Sequence, residues 1–157
     1  MPVPERQIEE RMRPGAWDTA GFLLPSESLA TRLATDLEVC SLRGFDPEGI
    51  GIRLRALLTA AASSDVGRPR RLGDHSVVLI RQRGMITCPW ADDEFERCPV
   101  PPPGNPTANR FRIDSHANVL EGFELSAHLI GAHGFFGGAG TRFRIEPEVA
   151  AAVIGAS

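Results

Sequence analysis

Three cysteines and four histidines carry most of the metal-binding chemistry available to this 157-residue chain, and four of these seven residues fall in a suggestive order. Cys88 and Cys98 come first, with nine residues between them, and His128 and His133 follow after a gap of twenty-nine residues. Thiolate and imidazole are the ligands zinc prefers, and four of them complete its tetrahedron. The expectation is one structural zinc ion held by Cys88, Cys98, His128 and His133. His116, directly after a predicted strand, is the substitute ligand, and His75 is held in reserve. Cys40 lies on the apolar face of a predicted helix, where a thiol behaves as a small hydrophobe. An odd cysteine count does not suit a disulfide framework, and metal is the leading alternative for two of the three.

The elements that must position these residues are read from spacing and punctuation. Residues 1–25 hold Pro2, Pro4, Pro14, Gly15 and Pro25 and read as an arm with at most a short helical turn, pinned by Trp17, Phe22, Leu23 and Leu24. Leu29, Leu33, Leu37 and Cys40 recur at helical steps, with Ser26 as N-cap and Gly44 as stop. Asp46-Pro47-Glu48 opens a second helix with the stripe Ile50, Leu54, Leu57, Leu58 and Ala61; Gly49 and Gly51 weaken its first turn. Residues 26–63 are therefore expected to form an αα-hairpin. Arg68, Arg70 and Arg71 mark an exposed basic loop.

SVVLIR at 76–81 and MITC at 85–88 predict a β-hairpin that delivers Cys88 at its far end. ADDEFER is an acidic loop, and PVPPPGNPTAN an extended connector. RFRIDS at 110–115 and TRFRIEP at 141–147 share four letters and predict two strands side by side in one sheet, with a short helix ending at His133 between them and Gly134 as its stop. Glu146, Pro147 and Glu148 open a last helix. The fold expected is α+β: an N-terminal αα-hairpin packed on a small, mainly antiparallel sheet, in one domain of 1–157 whose zinc-binding part is 76–157.

A hairpin carrying Cys88 and a later helix carrying the histidines resemble the ββα logic of Cys2His2 zinc fingers in ligand types, order and His-x4-His spacing. Cys-x9-Cys departs from the short cysteine loop of that family, so no DNA-reading positions carry over. On an ideal helix His128 and His133 would stand about 140° apart after a full turn, so the last turn is expected to unwind or tighten.

Seventeen Arg and no Lys point to the codon bias of a GC-rich genome. Twenty acidic residues give a net charge of -3, which does not suit non-specific binding to nucleic acid. The sequence has no apolar run of membrane-spanning length and no apolar secretory core at its start, so a cytoplasmic protein is expected. The leading functional expectation is a non-catalytic, zinc-stabilised module that presents a surface to a protein partner. The alternatives are a nucleic-acid-binding protein using Arg68, Arg70, Arg71, Arg81 and Arg83, or a zinc hydrolase with three protein ligands and Glu121 or Glu124 as general base. HLIGAH lacks the Glu that an HExxH helix would supply, and GFFGGAGT follows a helix and so does not form a phosphate loop.

Overall fold

The computed structural model describes residues 3–62, 67–84, 86–91 and 108–155. Its described residues form five helices and one four-stranded antiparallel sheet, an α+β architecture. In chain order these are α1 (Glu5–Met12), α2 (Leu29–Arg43), α3 (Pro47–Ala62), β1 (Arg70–Leu72), β2 (His75–Ile80), β3 (Arg110–Ser115), β4 (Asn118–Phe123), α4 (Leu125–His133) and α5 (Pro147–Ile154).

The sheet is a meander in which each strand pairs with the next in sequence. Val77 stands opposite Ile113, which stands opposite Leu120, and Leu79 stands opposite Phe111. The period of two puts all five side chains on one face, buried beneath α3, α4 and α5. A second apolar cluster joins Ile8 and Met12 of α1 to Phe22, Leu23, Leu29, Ile86, Cys88, Phe123, Leu129, Phe135 and Phe143. α4 lies between the two clusters, giving Ala127 and Ile130 to the first and Leu129 to the second. A helix packed on both sides needs apolar residues nearly all round, and this accounts for the composition of LSAHLIGAH.

Several expectations are corrected. The two helices of residues 26–63 are present, but α3 packs chiefly against α4 while α2 leans on α5, so they do not form the expected αα-hairpin. Ser28, not Ser26, caps α2, its hydroxyl accepting from the Thr31 N–H. Leu37 is exposed, and Asp36 takes the inward position beside it. The basic loop contains β1, so the hairpin with β2 turns at Gly73 and Asp74. β2 pairs with β3 along its whole length and with β1 at residues 75–77, and the described part of the expected second hairpin strand, 86–88, is not a strand. The second RFRI segment is not a strand either. Its Arg144 N–H bonds the Thr141 carbonyl at 3.2 Å and closes a turn, although Phe143 and Ile145 are buried as the alternation requires. The neighbour of β3 is instead β4, reached through a tight turn in which His116 has a φ of 52°.

Asp36 is 1% exposed and sits between two guanidinium groups. Arg144 reaches it at 2.7 Å from the 137–146 segment, and Arg32 reaches it at 3.2 Å from one turn earlier in α2. Arg32 also pairs with Glu27, whose other oxygen accepts from the Ala139 N–H. Burial works against the charge on Arg144, but hydrogen bonds to Asp36 and Glu146 outweigh it and push the pKa up. The Arg144 hydrogen bond holds the Glu146 carboxyl below its ordinary value. A lowered carboxyl pKa contributes stability that is present above the unfolded-state pKa and is lost as pH falls through the folded-state value. Arg144→Met leaves Asp36 with Arg32 alone and should lower the unfolding free energy by about 2 kcal/mol, the scale of hydrogen bonds to charged groups. Urea titration at neutral and acid pH is the measurement: the loss should be larger at neutral pH, and an unchanged midpoint at both would mean the network adds nothing.

Candidate metal centre

The chain runs from β4 straight into α4, and the Glu124 N–H bonds the Asn109 carbonyl at 2.8 Å, tying the helix start to the entrance of β3. Farther along, α4 crosses α3 with backbones in contact at Gly51 and Gly131; a Cβ on Gly51 would lie 2.4 Å from the Gly131 Cα. The helix ends at Gly134, whose φ of 65° is the left-handed conformation that lets its N–H return to the Ile130 and Leu129 carbonyls. His128 and His133 thus ride on a helix held at both ends and in the middle.

His128 is 5% exposed, and among the described residues neither of its ring nitrogens has a hydrogen-bond partner. A buried polar atom in that state costs about 1–3 kcal/mol. His133, at the last position of α4, turns Nε2 towards Cys88 Sγ at 3.5 Å. The His128 and His133 rings meet edge to face, centroids 4.9 Å apart. They do so without the expected unwinding, because α4 remains helical through His133.

Cys88 opens the turn Cys88-Pro89-Trp90-Ala91, in which the Ala91 N–H bonds the Cys88 carbonyl at 3.0 Å and Pro occupies the second position. The turn places the Trp90 ring flat on that of His133, 4.1 Å between centroids and 6° between planes. Cys88 itself is 6% exposed.

One donor atom from each of Cys88, His128 and His133 lies within 4.8 Å of the other two, close enough for a single metal ion. Zinc bonds of about 2.3 Å to sulfur and about 2.0–2.1 Å to nitrogen, at a tetrahedral angle, put the two ligand atoms roughly 3.5 Å apart. The Cys88–His133 separation equals that span.

The remaining predicted residues are distributed as follows. Cys98 lies outside the described residues. His116 is exposed in the β3–β4 turn, and His75 begins β2; neither joins the group. Cys40 is buried in the first cluster, and burial, reinforced by the charges of Asp36 and Asp46, pushes its thiol pKa up, away from the thiolate a metal needs. Glu121 is exposed and lies 3.7 Å from Arg112, and neither it nor Glu124 belongs to the group. Of the basic cluster, Arg70 donates to the Ala60 carbonyl and Arg71 to the Gly73 carbonyl.

Two residues of the centre went unread in the sequence, Trp90 as the stacking partner of His133 and Arg11, whose guanidinium donates to the Pro89 and Ala91 carbonyls. The aromatic after Cys-Pro was the only signal for the first. The second, 78 residues away, had none.

The fold and centre together define an α+β protein with a Cys/His group, two of its three residues buried, that could hold a metal ion. No protein-family model, curated protein or solved structure matches the chain. Among the described residues no helix is long and apolar enough to cross a membrane.

Proposed function

We propose that Cys88, His128 and His133, with Cys98 as the fourth ligand, bind one structural zinc ion, and that the protein is a non-catalytic binding module whose presented surface this ion stabilises. The observation that carries the reading is His128: a buried imidazole whose two nitrogens have no partner among the described residues, beside a thiol and imidazole already at the span of tetrahedral zinc. A metal ion would satisfy one nitrogen and remove part of the cost of burying the ring. A thiol nucleophile with His133 as its base would leave that cost in place. Four protein ligands leave no position for a reactive water, hence a structural role. The protein partner is supported by Leu37 and Leu42 of α2 and Ile52 of α3, large apolar side chains left exposed on successive helices.

X-ray absorption at the zinc edge tests the ligand set. Two sulfur and two nitrogen neighbours are expected. One sulfur, two nitrogens and an oxygen would describe an open site and favour the second reading, a zinc hydrolase, which the three described donors by themselves would also suit. A nucleic-acid role has weaker support, since Arg70 and Arg71 already donate to backbone carbonyls. Duplex or single-stranded DNA should therefore bind weakly at physiological salt; tight binding with a steep salt dependence would reverse that order.

A further inference from the structure

Cys88 belongs to no helix or strand, yet a metal ligand must hold its place to within a fraction of an ångström. The group that grips its turn comes from the other end of the chain. Arg11, on α1, is 5% exposed, and its Nη1 donates to the Pro89 carbonyl at 2.8 Å and also to the Ala91 carbonyl. These carbonyls bracket Trp90, whose ring lies on His133. The guanidinium carbon of Arg11 is in turn 4.4 Å from the centre of the Trp17 ring, which fixes its other side. Ile8 and Met12, beside Arg11 on the same face of α1, are buried in the cluster that contains Ile86, Cys88 and Phe135. A guanidinium offers its donors in a rigid planar fork, and in a water-poor setting its bonds to carbonyl oxygens are strong.

We propose that Arg11 is a positioning residue of the metal centre. By holding the Pro89 and Ala91 carbonyls it keeps Cys88 Sγ and the Trp90 ring in register with His128 and His133, so that docking of α1 and binding of metal are linked. The proposal rests on the metal reading of the Cys/His group. Linkage is reciprocal: the factor by which a docked α1 raises metal affinity is the factor by which bound metal favours the docked α1. A merely structural Arg11 would behave differently, because its loss would lower the stability of metal-free and metal-bound protein alike and leave affinity unchanged.

The test uses the full chain titrated with cobalt(II), followed by the thiolate-to-cobalt charge-transfer band, and then zinc in competition. Arg11→Met, which keeps the length of the stem, should weaken affinity by about 10–100-fold, the range typical when groups supporting a metal ligand are lost. Arg11→Lys should recover part of the loss, since an ammonium still donates to carbonyls but without the fork. Arg6→Ala, on the exposed side of the same helix, should titrate as wild type. Zinc should slow amide hydrogen exchange in α1 of the wild type and have little effect there in Arg11→Met. Folded Arg11→Met with wild-type affinity, or α1 exchange in the wild type indifferent to zinc, overturns the proposal. Should Arg11→Met not fold, Arg11→Lys and wild-type exchange still decide it. A wild type that takes up no metal removes the centre itself, a result distinct from a wild type that binds tightly and is unaffected by Arg11→Met.

Discussion

Protein purified with zinc supplied will carry one equivalent of the metal, and Cys88→Ser, His128→Ala and His133→Ala will each lose it while Cys40→Ser will not. The control is discriminating because Cys40 is also buried, but it sits in the other apolar cluster, where burial pushes its thiol pKa up. Structural zinc in finger peptides is worth about 10–16 kcal/mol in apparent terms, so a fraction of that is large beside a domain stability of about 5–15 kcal/mol. Chelation should lower the thermal midpoint and release amide protection first at 86–91 and α1, whose apolar contacts are with the cluster containing Cys88. The sheet face under α3 and α5 has contacts of its own and should stay protected longer. Both ligand types bind metal only when deprotonated, so affinity must fall as the solution is acidified. His128→Leu separates the metal from packing: it should abolish uptake and yet raise the stability of the metal-free protein by about 1–2 kcal/mol, because it removes unsatisfied buried nitrogens. Equal zinc content in all variants, or a destabilised metal-free His128→Leu protein, would remove the assignment.

The second large effect is expected at Gly51. A methyl group there would meet the Gly131 Cα at 2.4 Å, its N at 2.5 Å and the Ala127 carbonyl oxygen at 2.8 Å, all backbone atoms of α4. No side-chain rotation relieves such contacts, so α4 must move off α3 and take His128 and His133 with it. Gly51→Ala should cost about 3 kcal/mol, the upper end for overpacking, which in urea is a midpoint shift of roughly 1–2 M. Zinc affinity should fall with it. At Gly131 a Cβ would come no nearer than 3.3 Å to the Gly51 Cα, and at Gly49 its nearest contacts would be with the Asp46 side chain, at 3.2 Å. Gly131→Ala should thus be mild, and Gly49→Ala close to neutral, since Ala is the better helix former by about 1 kcal/mol. Equal midpoints for Gly51→Ala and Gly131→Ala would show that the helices can separate freely.

Helices α2, α3, α4 and α5 were legible in the chain because each is punctuated locally: Pro47 and Pro147 at first helical positions, Gly44 and Gly134 as stops, apolar residues at helical steps. β3 was legible from its alternation, and so were the ligand types of the centre. The same alternation in the second RFRI misled, because periodicity records which side chains are buried and not whether the backbone is extended. Phe143 and Ile145 are buried from a turn that Arg144 anchors on Asp36. The strand partners, the inward Asp36, the grip of Arg11 on the Cys88 turn and the need for glycine at position 51 were decided only in the tertiary structure. Each depends on groups distant in sequence, and a chain read locally carries no record of which backbone atoms will stand opposite a given side chain. Gly51 shows the limit most plainly: in sequence it is a weak point in a helix, and in the fold it is where α4, with both histidines, comes to rest on α3.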